Sequence, residues 1–304
     1  MTGIVIPTLG GPHLRTCLDA VAALDPAPEQ TVVVVSGGAS VPEHPSSIEV
    51  LTTEGRLGFA AAVNAGINAL GNEVDRVALL NDDSIPPPGW LGALEAALDA
   101  DPVLAAVQST VTDTLGTAVD GRGITLDDVG LPIQVDRGSN PAPEPTQPRS
   151  VIAVSGTASL YRIRALRESA LADGAILDPR FGSYHEDFDL GLRMRRLGWR
   201  AAWVPGARAS HVGSATGHGL NWRHPWWLLT NRWRALAGNL TPAAFFTALP
   251  TFFRGELRAI RTLARTNPRV LPTAAAALAY LPWIVIRSLG RPSPGPRLTA
   301  LPES

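Results

Sequence analysis

The segment DPRFGSYHEDFDLGLRMRRLGW, residues 178–199, holds Glu186, Asp187 and Asp189 within four positions of one another, where a helical pattern begins. Like charges that close repel, so their grouping asks for a reason. Capping is one: the free N–H groups and dipole of a helix N-terminus favour negative charge. It explains one acidic residue well and three less well. The same field keeps at least one carboxylate ionised at neutral pH, the state a general base needs. A second acidic group, Asn81-Asp82-Asp83, ends the apolar run RVALL and precedes three prolines. On a parallel sheet such a position opens onto the binding crevice, and hard oxygen ligands there suit Mg²⁺ or Mn²⁺. The bland alternative is a solvated turn with a capping Asp. His211, in ASHVGSATGHG, follows the last apolar run and precedes glycines that permit a flexible loop. A lone histidine is more often structural than a ligand, yet imidazole could complete a carboxylate and phosphate shell around Mn²⁺.

These groups need a frame. The runs at 3–7, 31–35, 48–52, 76–80 and 104–109 read as strands, and the patterns at 13–24, 58–70 and 89–99 as helices between them. Continuous apolar strands joined by helices predict an α/β fold, a mostly parallel sheet covered on both faces. Residues 113–150, rich in Gly, Asp and Pro, read as a long, partly mobile excursion. Order is expected to return at 150–163, followed by the acidic helix and a short strand at AAWVP.

Composition narrows the chemistry. The chain of 304 residues contains no lysine, which excludes a P-loop lysine, a Schiff base and a lysine general base. Its single cysteine, Cys17, excludes disulfides within the chain and reads as core filling. G-x-G-x-x-G and G-x-S-x-G are absent, which argues against a dinucleotide oxidoreductase or a serine hydrolase. The start, MTGIVIPTLGG, lacks the basic and long apolar regions of a signal peptide, so a cytoplasmic site is expected.

Charge divides the sequence. Residues 1–220 carry 15 Arg against 25 acidic residues, whereas 221–298 carry 11 Arg against Glu256 alone. We therefore divide the chain into a catalytic domain, 1–220, and a basic, Trp-rich helical region, 221–304. In the latter, Arg254, Arg258, Arg261 and Arg265 form a helical stripe beside Phe253, Leu257, Ile260 and Ala264. Val270–Ile286 is uncharged but short for a membrane span. Two readings stand: a helical lid packed on the body, or peripheral attachment to an anionic membrane surface.

The ordered motifs VIPTLGG, RLGFAAAVNAGI, LLNDDS, VSGTASLYRIRAL, FGSYHEDFDLGLRMRRLGW and VPGARASHVG resemble the family 2 glycosyltransferases of the GT-A fold, closest to rhamnosyltransferase-like and galactofuranosyltransferase-like bacterial members. The likeness covers about residues 1–235, including LLTNRWRAL. It implies a Rossmann-like GT-A domain with a C-terminal helical extension, and inverting transfer of a sugar from a nucleoside-diphosphate donor. It further implies Asp83 and His211 as ligands of Mn²⁺ or Mg²⁺, Asp187 as base with Glu186 beside it, and Asp82 near the donor. Pro7, Thr8, Leu9, Arg56 and Gly58 would lie against the nucleotide, with Ser36, Asn81, Gly156 and Asp189 as further substrate contacts. The sequence departs from the family pattern at Ser36, where an acidic residue is usual, at Leu57, where Asn is usual, and in N-D-D for N-P-D.

The implied acceptor is a glycan or lipid-linked glycan, and the implied location the inner face of the cell membrane. A sugar nucleotidyltransferase is the enzymatic alternative, but TLGGPHLR imitates its basic glycine-rich loop only thinly and the 186–189 cluster would go unused. A non-catalytic membrane-binding relative is the other. Nucleic acid is not expected as a partner, because the tail's tryptophans lie among Leu, Phe and Ala.

Overall fold

A computed structural model describes residues 1–213 and 222–303. The division placed between 220 and 221, and the glycines Gly217 and Gly219 read as a flexible loop, lie outside the described residues.

The first four apolar runs become strands within a residue of their expected bounds, and the fifth extends three residues further, to Thr112. In chain order the body comprises β1 (Thr2–Thr8), α1 (Leu14–Ala22), β2 (Gln30–Ser36), β3 (Ile48–Thr53), α2 (Phe59–Ala69), β4 (Arg76–Leu80), β5 (Ser84–Ile85), α3 (Trp90–Ala100) and β6 (Leu104–Thr112). Then come β7 (Val119–Gly121), β8 (Ile124–Leu126), β9 (Pro132–Gln134), β10 (Arg149–Val151), β11 (Ala158–Arg162), α4 (Ile163–Glu168), α5 (Glu186–Arg196) and β12 (Arg200–His211). The main sheet runs β10-β12-β6-β11-β4-β1-β2-β3. Pairing is parallel through β4, β1, β2 and β3 and between β6 and β12, while β11 lies antiparallel between β4 and β6.

Burial on both faces explains why these strands read as continuous apolar runs. Val5, Val32 and Val34 pack on one side with Val63 and Ile67 of α2; Ile4, Ile6, Val33 and Val35 pack on the other with α1 and α3. Contact with α2 is so close that a methyl group on Gly66 would fall 2.3 Å from Val5 Cγ1. Cys17 is buried in the second of these clusters.

Two expectations need correction. Residues 113–150 are not a loose excursion: β7 joins the main sheet, β8 and β9 form a hairpin, and β10 pairs with β12. Buried Arg122 ties the segment together, donating to Asp136 at 3.1 Å and to the Pro141 carbonyl at 2.9 Å. Strands of three residues are too short to show a period, and their polar turns dominate the composition. Nor is the last strand short. β12 runs twelve residues, through Pro205 and Gly206, because a register shift between Trp203 and Arg208 absorbs the irregularity.

Beyond it lie α6 (Arg223–Asn239), α7 (Pro242–Thr247), α8 (Leu249–Thr266) and α9 (Leu271–Leu289). These helices pack on the body: Trp233, Phe245 and Phe252 share a core with Phe181 and with Phe188 and Leu192 of α5. Arg232 and Glu256 form a buried ion pair, and Trp233 Nε1 donates to Glu256 at 2.7 Å. The basic stripe is partly spoken for, since Arg258 binds Asp127 and Asp128. After α9 the chain returns to α5: Arg291 binds Asp178 and Asp189, Arg196 donates to the Gly295 and Pro296 carbonyls, and Arg195 to that of Glu303.

Candidate active site

Asn81, Asp82 and Asp83 leave the carboxyl end of β4 in a tight turn, closed by the Ser84 N–H donating to the Asn81 carbonyl at 3.1 Å. Thr8, at the end of neighbouring β1, donates its hydroxyl to Asp82 and accepts the Gly10 N–H at 2.9 Å. Burial raises the Asp82 pKa, the Thr8 hydrogen bond opposes the rise, and the Asp83 charge adds to it. Asp83 Oδ1 lies 3.0 Å from Nε2 of His211, the last residue of β12. The strands enforce this meeting: β5 pairs antiparallel with β12, setting Ser84 opposite His211.

His211 has a second carboxylate that sequence reading missed. Its Nδ1 lies 2.9 Å from Asp120 of β7, which Arg137 in turn approaches at 3.3 Å. Burial alone would lower the imidazole pKa; hydrogen bonds and charge from Asp120 and Asp83 outweigh it and raise it to about 9. The two carboxylates thus favour a proton on the ring, one that a metal ion on Nε2 would displace. No motif in a region read as loop marked Asp120; only the pairing of β7 with β6 brings it here.

The other acidic group stands at the start of α5. Asp187 Oδ1 accepts the Phe188 N–H at 2.7 Å, and the nearby Gly156 amide favours the ionised carboxylate. Burial nevertheless pushes Asp187 up to about 6. Glu186 rises well above the ordinary range, through burial and then the charge of Asp187, and its Oε2 is buried without a hydrogen-bond partner. Gly156 can approach because it lacks a side chain: a methyl there would meet the Phe59 ring at 2.8 Å.

Asp189 corrects the expectation of a substrate contact. It is fully buried, bound by Arg193 at 2.9 Å and Arg291 at 2.7 Å, and accepts from Asn239 at 2.9 Å. Burial raises its pKa and the two guanidiniums bring it down to about 2. Two positions beyond Asp187 on a helix points it to another side, so it anchors α5 instead.

The turn Ser155-Gly156-Thr157 joins the two centres. Gly156 reaches Asp187, while the Thr157 carbonyl accepts the Asn81 N–H at 3.0 Å and the Ser84 hydroxyl at 3.2 Å. On the far side, Pro7 and Thr8 pair with Val34 and Val35, and Leu9 follows, half-buried. Ser36 ends β2 opposite Thr53, and Arg56 lies against Gly37. Gly58, at the N-terminus of α2, abuts Gly182: a methyl on it would sit 2.7 Å from the Gly182 oxygen. Asn81, Asp82, Asp83, Thr8 and His211 thus share one cluster, and Asp187, Glu186 and Gly156 the adjoining one.

Among the described residues no group of three or more His, Cys, Asp or Glu is arranged to hold a cation, and Asp83 and His211 bond to each other. The donor set still fits a divalent metal. A carboxylate oxygen and an imidazole nitrogen suit Mn²⁺, and a second carboxylate on the far ring nitrogen is how metal-binding histidines are oriented.

Known proteins share this frame. The chain is 26% identical over 233 residues to the N-acetylglucosaminyl-diphospho-decaprenol L-rhamnosyltransferase of Mycobacterium tuberculosis, covering 66% of this chain and 72% of that one. In fold it is similar to the mannosyltransferase PcManGT of Pyrobaculum calidifontis, solved with GDP-Man and Mn²⁺ (TM-score 0.53, 18% identity, 95% and 87% coverage), and to S. aureus TarS 1–349 (0.55, 13%, 95% and 88%). It is also similar to GalNAc-T7, solved with UDP, GalNAc and Mn²⁺ (0.52, 16%, 69% of this chain), spanning 43% of that longer chain. The sequence profile of the Glycosyltransferase like family 2 matches residues 2–234, most of the sequence, and the chain belongs to that family.

Proposed function

We propose that this protein is an inverting glycosyltransferase that moves a sugar from a nucleoside-diphosphate donor to the hydroxyl of a glycan or lipid-linked glycan. One observation carries the reading: a single three-residue turn separates an Asp82-Asp83-His211 cluster from an ionisable Asp187. Displacement at an anomeric carbon needs these two functions on opposite sides. The acceptor hydroxyl gives its proton to Asp187 as its oxygen attacks, and the departing diphosphate gathers negative charge. Asp83 and His211 would hold Mn²⁺ or Mg²⁺, which when bound supplies Lewis-acid stabilisation of that leaving group. Thr8 keeps Asp82 in place, and Asp120 holds the His211 ring. Pro7, Leu9, Ser36, Arg56 and Gly58 line the nucleotide side.

The test is product analysis over a panel of sugar nucleotides with Mn²⁺ and a polyprenyl-diphosphate glycan acceptor. Release of a nucleoside diphosphate with an inverted anomeric centre supports the proposal. Release of pyrophosphate favours a nucleotidyltransferase, and absence of both donor binding and turnover favours a non-catalytic relative.

The proposed location is the inner face of the membrane, peripherally attached. Pro268–Leu289 is long and apolar enough to cross a membrane by length and composition, with mean hydropathy 1.5 and 28% of the window buried. Only one side of α9 packs inward, through Ala274, Ala277, Leu281 and Ile284; Leu271, Leu278, Tyr280, Trp283 and Ile286 are exposed. Exposed Arg269 precedes the helix, and exposed Arg287 lies over the Trp283 ring at 4.9 Å. Aromatic and aliphatic groups rimmed by arginine suit an anionic bilayer surface. The wild-type protein is expected to float with phosphatidylglycerol-rich vesicles. Trp283→Glu with Ile286→Glu should cut binding about tenfold or more, and high salt should weaken it. Equal flotation of the variant would remove α9 from the membrane role.

A further inference from the structure

The chain enters α5 against its own preferences. Gly182, Tyr184 and His185 have φ of 67, 71 and 68°. For the two side-chain-bearing residues that region is strained, and persists only where neighbours over-determine it.

The neighbour is Asn231 of α6, which is completely buried. Its Nδ2 lies 2.8, 3.0 and 2.9 Å from the carbonyl oxygens of Phe181, Ser183 and Tyr184. Its Oδ1 accepts from Arg234 at 2.6 Å, and the same guanidinium nitrogen donates to the Arg180 carbonyl at 2.9 Å. Turning the amide end for end would aim its oxygen at three carbonyls, so one orientation is fixed. Two N–H groups serve three acceptors, which leaves one shared. From the other side, the Ala60 N–H donates to the Gly182 carbonyl at 3.2 Å, and Trp227 covers Gly182 so closely that a methyl there would sit 2.8 Å from the indole. The loop is gripped between α2 and α6.

Glu186 and Asp187 are the next two residues. We infer that Asn231 is a positioning residue of the transfer reaction, holding the left-handed 182–185 loop so that the Asp187 carboxylate stays against the Gly156 amide. This rests on Asp187 as the base and extends it, giving a helix at the C-terminal edge of the family match a part in placing that base.

The test is Asn231→Leu, similar in size and without donors. Amide hydrogen exchange of residues 182–185 should speed up while the sheet exchanges as before. kcat should fall about 10- to 100-fold with donor KM within about twofold, since a base displaced by an ångström loses rate rather than donor affinity. A folded variant with unchanged loop exchange, or with unchanged kcat, overturns the inference. If Asn231→Leu does not fold, Arg234→Met decides: it removes the guanidinium that orients the amide and should change both readouts in the same direction, more weakly, whereas no change in either overturns the inference. A failure of the base itself is distinguishable. Full turnover by an Asp187→Asn enzyme would remove the base, whereas loop exchange in the Asn231 variant reports on the clamp alone.

Discussion

Asp187→Asn is expected to lower kcat by about 10²–10⁴-fold, the range a positioned general base contributes, with donor binding kept. Asn matches the shape of Asp and still accepts the Phe188 N–H through Oδ1, so the helix start should persist. The same substitution should raise the melting temperature at neutral pH. Burial lifts Asp187 to about 6 in the folded protein, above its unfolded value near 4. The folded state thus prefers the protonated form, and this contribution to stability is full below pH about 4 and lost as pH rises through 6. At pH 7 the ionised carboxylate strains the fold; a neutral amide does not. Lost turnover joined to gained stability marks a functional carboxylate rather than a cap, because losing a cap would destabilise. For the wild type, kcat should climb with pH through a limb near 6 and then level. A flat profile, or an active Asn variant, would take the base role from Asp187.

The second large effect concerns stability. Arg291→Met should cost about 3–5 kcal/mol in urea unfolding, the usual penalty for removing one partner of a buried ion pair. Arg291 binds Asp178 at 2.8 Å and Asp189 at 2.7 Å, and all three are buried. Arg193 still faces Asp189 and Arg180 still faces Asp178, so the fold should survive weakened. Arg291→Lys should fall between, since one ammonium cannot reproduce the guanidinium fork. The pH sign is opposite to that of Asp187. Asp189 is held down at about 2, so its stabilisation is present above pH about 4 and disappears as pH falls toward 2. The Met variant should lose that acid limb in part. An unchanged unfolding midpoint would mean that the pair contributes nothing net.

The sheet was legible because strands buried on both faces write themselves as unbroken apolar runs: Val32 to Val35 face two cores in turn. The site was legible at its acidic residues, whose crowding at 81–83 and 186–189 has few inexpensive explanations. Asp189 was misread because charge spacing alone cannot say which carboxylate meets an arginine a hundred residues away. Asp120 was invisible for a related reason: three-residue strands carry no period, and its partner His211 is 91 positions on. Asn231 stood in a recognisable motif, but its task depends on backbone angles that no residue type near it declares.

The tether formed by residues 291–303 has an implication for how the molecule is made. Its contacts reach back to Asp178, Asp189, Arg195 and Arg196, on or just before the very helix that begins with Glu186 and Asp187. A ribosome that has finished everything up to α9 has yet to supply Arg291, the arginine that bridges both interior acids. A chain interrupted before Arg291 would therefore lack a cation beside both acids, and α5 should be held less firmly in it.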